Sequence, residues 1–338
     1  MPLPPKIPFR DQVYGVLALW IVFFHLSYYI PLEWNIPLVT NFFRLGDAAV
    51  DIFLLISGYC ITLSLGKDAS IRRFYNSRLK RILLSYLIIA IPYFAWKHLL
   101  VSHSSSVLKY LYDLSGASFL YGGILSVWFV IAILLMYLCA PLFYRIIKRS
   151  LPESLLLFAG IILAVIAAHY ALPVFRKSEI AWTRFPVFIL GMIIGRYFPS
   201  LLTKRNKYAL AASAVFVLAL LIVPYKAWVS NAVGTFGLRL SYLLIVIPFF
   251  YFIHWTFPFI PKTIHAPAAK IGRCSLEIYL IHYLLIKILK YYGLLNVVGY
   301  WGYLVIPVVS ILLAAMTVHL VHLATDNRKN NTASHEKN

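Results

Sequence analysis

Apolar residues run along this chain in blocks of about 20, separated by shorter polar or basic stretches. The blocks fall near 13–31, 46–65, 82–101, 124–144, 154–172, 183–199, 208–224, 236–256, 274–293 and 300–323. A helix of about 20 residues spans roughly the 30 Å hydrocarbon layer of a bilayer. The pattern therefore predicts an all-α, polytopic bundle of about ten transmembrane helices. One membrane domain is expected over 1–325, followed by a polar, disordered tail at 326–338. The N-terminal "MPLPPKIPFRDQ" leads into the first block with no small-residue cleavage signature, so that block reads as a retained helix.

Composition strengthens this picture. Of 338 residues, 62% are hydrophobic and 12% charged, and the mean hydropathy is +0.81, which excludes an ordinary soluble domain. Lys and Arg outnumber Asp and Glu by 31 to 11. In a soluble protein that excess would point to nucleic acid; here it reads as topology, and no nucleic-acid partner is expected. The basic residues concentrate in alternate loops: Lys67, Arg72, Arg73, Arg78, Lys80 and Arg81, then Arg145, Lys148 and Arg149, then Arg196, Lys204, Arg205 and Lys207. An even helix count places these loops and both termini on one side, the cytoplasmic side under the positive-inside rule. The cysteines Cys60, Cys139 and Cys274 fit neither a zinc site nor a redox pair.

Chemistry is sought among ionisable groups inside the spans, which are costly there unless they face protein or a water-filled cavity. A lone histidine on an apolar helix ordinarily just bonds a neighbouring carbonyl, but His25 has company. At about 100° per residue it lies within roughly 20° of Tyr14, about 40° from Asp11 and about 60° from Arg10. One stripe thus leads from a charged end to an imidazole about 16 Å deeper. In the second block Asp47 and Asp51 share a face at i, i+4, above Ser57 and Gly58. Asp47 can simply begin a helix, whereas Asp51, a turn further in, can orient a histidine or meet an arginine. The loop ending in Arg78 and Arg81, with Asp68 as its one acid, can record topology alone or cradle a polyphosphate.

Further along, Trp128, Tyr137 and Pro141 share the fourth block, and Arg184 opens the sixth. Gly191 and Gly195 have a spacing that suits close helix packing. Glu277 and His282 are about 140° apart and should face different partners. Arg239, His254, His319 and His322 sit near predicted helix ends and read as interfacial. No metal site is supported.

Taken in order, these strings resemble the integral-membrane acyltransferase family 3, bacterial enzymes that acylate cell-surface sugars. "RDQVYGVLALWIVFFH" is similar to the family's first-helix segment ending in His, and "GDAAVDIFLLISGY" to its Asp-x-Phe-Phe-x-x-Ser-Gly segment. "FYNSRLKRILLSY" follows Arg-x-x-Arg-Ile, "SVWFVIAILLMYLCAP" the Trp to Tyr to Pro pattern, and "CSLEIYLIH" the closing Ser-Leu-x-x-Tyr-Leu-x-His. The resemblance implies that His25 is a general base removing a proton from an acceptor hydroxyl, which attacks the thioester of an acyl-coenzyme A. Asp11, Tyr14, Arg10 and Asp51 are then expected to join it in catalysis. Arg72, Arg73, Arg78 and Arg81 would bind the coenzyme phosphates, and Ser57, Trp128, Tyr137, Arg184, Tyr279 and His282 the substrate.

The chain departs from the family pattern at Tyr14, where an Arg is usual, at Leu84, a usual proline, and at Ile133 and Leu134, an acidic pair in many members. Arg10 lies one turn back on the same face, from which its long side chain can reach forward. The leading expectation is a multi-pass enzyme of the bacterial inner membrane, moving an acyl group, most simply acetyl, from acetyl-CoA to a hydroxyl of a cell-surface polysaccharide or its lipid-linked precursor. Acetyl-CoA or another acyl-CoA is a co-substrate, and no permanently bound cofactor is expected. The alternatives are a transporter of glycans or small acids, and a catalytically silent binder of acyl-CoA or glycan.

Overall fold

The computed structural model describes residues 5–30, 36–67, 70–103, 106–122 and 127–335, with side chains through Thr325. Asp68, residue 31 of the first expected span, residues 124–126 of the fourth and residues 336–338 of the tail lie outside them. Among the described residues every regular element is helical. In chain order these are α1 (Arg10–Tyr29), α2 (Pro37–Arg44), α3 (Ala48–Lys67), α4 (Ile71–Trp96), α5 (Val107–Leu114), α6 (Ala117–Gly122), α7 (Trp128–Ile147), α8 (Leu151–Ala171) and α9 (Pro173–Lys177). There follow α10 (Glu179–Trp182), α11 (Phe185–Tyr197), α12 (Ser200–Thr203), α13 (Lys207–Ile222), α14 (Tyr225–Thr256), α15 (Lys262–Arg273), α16 (Ser275–Tyr291), α17 (Leu294–Val298) and α18 (Gly302–His335).

Among the described residues, seven stretches are helical, long and apolar enough to cross a bilayer: Arg10–Tyr29, Pro37–Lys67, Ile71–Val101, Trp128–Ile147, Leu151–Ala171, Tyr225–Phe259 and Leu294–Thr325. The molecule is a multi-pass membrane protein. The other three expected spans are helices too, but shorter: α11 has 13 residues, α13 has 16 and α16 has 17. Local chemistry shortens them. Pro186 opens α11, Pro224 follows α13, and α16 stops at Gly293, whose φ of 70° ends a helix readily. Polar caps start several of the others: the side chain of Ser70 accepts from the Arg73 amide, Ser150 from Glu153, and Asn206 from Tyr208 and Ala209.

Two close contacts organise the bundle. Gly58 and Gly191 let α3 and α11 touch backbone to backbone, since a Cβ on either would strike the carbonyl of Phe188 or Leu55. The Gly191/Gly195 spacing therefore serves packing, as its periodicity indicated. Gly15 and Gly272 do the same for α1 and α15, where a Cβ would meet the carbonyls of Ala268 and Asp11. The start of α1, the end of α3, the start of α4 and the α15–α16 corner gather at the basic end of the bundle. The end of α1 and the starts of α3, α11 and α14 gather at the opposite end. There α14 is broken at Gly234, with φ 70° and ψ 178°, a conformation open almost only to glycine. The break frees its first turns, carrying Lys226, to lie over that end.

Candidate active site

Each end of the bundle opens into a cavity. The cavity at the basic end, about 430 Å³, is lined by Arg10, Asp11, Tyr14, Arg78, Arg81 and Arg273, with Ser57 and Tyr137 deeper. Among the described residues, four guanidinium groups face one carboxylate there. Arg10 pairs with Asp11 at 2.8 Å and Arg81 donates to the carbonyl of Arg273 at 3.1 Å. Arg78 and Arg273 have no carboxylate partner among the described residues. Tyr14 packs on Phe53 with ring centroids 4.9 Å apart, and the Arg10 guanidinium carbon lies 6.0 Å from the Tyr14 ring centroid. The cavity thus has a cation beside Tyr14 although that position holds no arginine. Ser57 faces the hydroxyls of both Tyr14 and Tyr137.

The opposite cavity, about 400 Å³, is lined by His25, Asp47, Trp128, Arg184, Lys226 and Arg239, with aromatic walls from Tyr28, Tyr29 and Tyr283. Its cations are individually neutralised. Lys226 pairs with Asp47 at 2.9 Å, and Asp47 also accepts from the Tyr242 hydroxyl at 2.9 Å. Arg239 pairs with Glu179, which also holds His169 at 2.9 Å. Arg184 pairs with Asp51 at 3.4 Å, both no more than 2% exposed. Arg184 further donates to the Ile180 carbonyl at 2.8 Å and lies 4.9 Å from the Trp128 ring centroid.

Tyr279 lines both cavities. Its ring packs 4.7 Å from Phe129 on the basic side and 6.5 Å from Trp128 on the other. These three rings form the partition. Beside it His25 Nδ1 lies 3.0 Å from the Ile21 carbonyl and 3.0 Å from His282 Nε2. His282 Nδ1 lies 2.8 Å from the Ile278 carbonyl, and His282 is fully buried.

The stripe read from the first helix is therefore divided: Arg10, Asp11 and Tyr14 face one cavity and His25 the other. Of the expected coenzyme ligands, Arg78 and Arg81 line the basic cavity, whereas Arg72 and Arg73 are exposed at the start of α4 and line neither. Among the expected substrate ligands, Ser57 and Tyr137 sit with the arginines, Trp128 and Arg184 with His25, Tyr279 between, and His282 behind His25. Asp51 meets Arg184 and not His25. Glu277 accepts from the Ser85 hydroxyl at 2.6 Å, so it and His282 do face different partners. His319 and His322 are exposed in the second half of α18, whereas His254 and Arg239, also read as interfacial, are turned into the protein. His254 is fully buried, stacked on Phe250 at 5.0 Å, because the long α14 carries it under Phe9. Arg239 lines the cavity of His25.

Arg273 and Lys226 were missed by sequence reasoning. The available signal for Arg273 was its place in "KIGRCSLEIYLIH", directly before a motif already singled out. The description "acyltransferase domain" belongs to a family model that matches residues 11–320. No curated protein and no solved structure matches the chain.

Proposed function

Because the chain belongs to the integral-membrane acyltransferase family 3, we propose that it moves an acyl group, acetyl in the simplest case, from acyl-CoA to a hydroxyl of a cell-surface sugar or its lipid-linked precursor. The observation that carries this reading is the pair of unlike cavities meeting at Tyr279. Four arginines against one acid suit the phosphates of coenzyme A, which guanidinium groups bind through paired, charge-assisted hydrogen bonds. The basic loops on that side support a cytoplasmic face under the positive-inside rule, the side on which acyl-CoA is made. Aromatic walls and polar groups around His25 suit a carbohydrate, whose apolar ring faces pack on aromatic rings while its hydroxyls seek hydrogen bonds.

In this mechanism the donor enters from the arginine side with its thioester at the Tyr279 partition, and the acceptor enters from the other side. His25 Nε2 takes the proton as the acceptor oxygen bonds to the thioester carbonyl carbon. The C–S bond then breaks, and the proton passes from His25 to the departing thiolate. Arg10, next to Tyr14, supplies the positive charge that the family places one turn later.

Release of free coenzyme A from acetyl-CoA by the purified protein in nanodiscs, with a cell-surface glycan extract as acceptor, tests the reading. Wild type should turn over, and His25→Ala should lose about 10²–10⁴-fold in rate while still binding the coenzyme. Binding without turnover in the wild type would favour a silent acyl-CoA binder. Movement of glycan with no thiol release would favour a transporter.

A further inference from the structure

Among the described residues, His25 has no carboxylate behind it, unlike many catalytic histidines. Asp47, which lines its cavity, is engaged by Lys226 and Tyr242, Asp51 by Arg184, and Glu179 by Arg239. What stands behind His25 is another imidazole. Resting on the acyl-transfer reading above, we propose that His282 is a positioning residue that holds His25 in the one tautomer and orientation able to accept a proton from the acceptor.

Hydrogen-bond accounting fixes the protons. A carbonyl oxygen only accepts, so the 2.8 Å contact to Ile278 requires the hydrogen of neutral His282 to be on Nδ1. Its Nε2 is then a bare acceptor, fully buried, with His25 Nδ1 at 3.0 Å. Two bare nitrogens would repel, so His25 Nδ1 carries the hydrogen and shares it between His282 Nε2 and the Ile21 carbonyl, each at 3.0 Å. That leaves the lone pair of His25 on Nε2, which has no hydrogen-bond partner among the described residues, on a ring that lines the cavity. The Ile21 carbonyl selects the same tautomer, but it sits one turn back on the same helix and cannot tie the ring to anything else. His282 comes from α16, so the bond between the two rings locks α1 to the helix that also carries Tyr279.

The choice of a neutral orienter has a consequence for the reaction. When His25 takes the hydroxyl proton it becomes an imidazolium whose Nδ1–H still bonds to His282. A carboxylate there would add full ionic stabilisation to that cation. An uncharged imidazole holds it less tightly, which eases return of the proton to the departing thiolate.

Steady-state transfer from acetyl-CoA to the glycan acceptor, measured on the full-length protein in nanodiscs, tests this with His282→Leu and His282→Gln. Glutamine places a carbonyl oxygen near the position of Nε2; leucine offers no acceptor. His282→Leu should lower kcat by about 10²-fold with the KM for acetyl-CoA unchanged, and His282→Gln should recover most of that loss. Equal losses in both variants would mean a packing role, and wild-type kcat in His282→Leu would mean none; either overturns the proposal. Absence of transfer by wild type would instead remove the acyl-transfer reading, and this inference with it.

Discussion

The two cavities are similar in volume and opposite in electrostatic design. In the basic one, Arg78 and Arg273 face open space with no acid among the described residues to balance them. In the other, Lys226, Arg184 and Arg239 each have a carboxylate within an ion-pair distance. Uncompensated charge attracts an anion; compensated charge builds rigid walls. The first arrangement suits capture of a phosphate-bearing donor, and the second suits holding a neutral polar acceptor in a fixed place beside a base. Tyr279 is where the two demands meet.

The sharpest way to break this contrast is to unbalance the compensated side. Arg184→Met should leave Asp51 as an unpaired buried charge and destabilise the protein by about 3–5 kcal/mol, read as a lowered midpoint in thermal unfolding in detergent. Adding Asp51→Asn to that variant should recover part of the loss. A single variant as stable as wild type would show that the pair is dispensable.

On the uncompensated side, Arg273→Ala should remove one phosphate contact of about 1.5–3 kcal/mol, raising the KM for acyl-CoA about 10- to 100-fold with kcat little changed. Lys226→Ala should leave that KM alone. A donor KM equally sensitive to both substitutions would erase the distinction between the cavities. Next in size, Gly234→Ala should strain the break in α14 by about 1–3 kcal/mol and disturb the acceptor side only, visible as a higher KM for the glycan.

The smallest effect lies away from both cavities. Asp113 on α5 accepts from Lys97 at 2.7 Å and pairs with His98 at 3.0 Å. Burial alone would push its carboxyl upward, but hydrogen bonds from Lys97, Ser118 and His98 outweigh it and hold the carboxyl below its ordinary value. A depressed value in the folded state means that the tie is fully present above the unfolded value of about 3.9 and is lost as pH falls through the folded one. Limited proteolysis of the α5 region should therefore be unchanged from neutral pH to about pH 5 and accelerate only in stronger acid. Asp113→Asn should be cleaved faster already at neutral pH.

Much of this architecture was legible in the sequence because membrane spans announce themselves by length and hydropathy alone. The shortened α11, α13 and α16 were less so, since their ends depend on prolines and turns inside otherwise continuous apolar runs. The candidate site divides along similar lines. His25, Tyr14, Arg78 and Arg81 stood out as ionisable or polar groups in or beside apolar helices. The division of the first-helix stripe between two cavities did not, because helical periodicity reports direction but not what fills the space alongside. Arg273 was passed over although it directly precedes the closing motif. The His25–His282 bond joins residues 257 apart in the chain, and Asp51 and Arg184 meet only because glycines bring α3 and α11 into contact. Such pairings are products of packing, which no local pattern encodes.

The central claim is that donor and acceptor approach from opposite faces. Sealed proteoliposomes of uniform orientation, loaded with labelled acetyl-CoA on the arginine side only and given glycan on the His25 side only, test it most directly. The account predicts labelled glycan on the His25 side, abolished by His25→Ala, and no labelling when donor and acceptor are exchanged between the faces. Transfer that occurs only when both are supplied on the arginine side would contradict it.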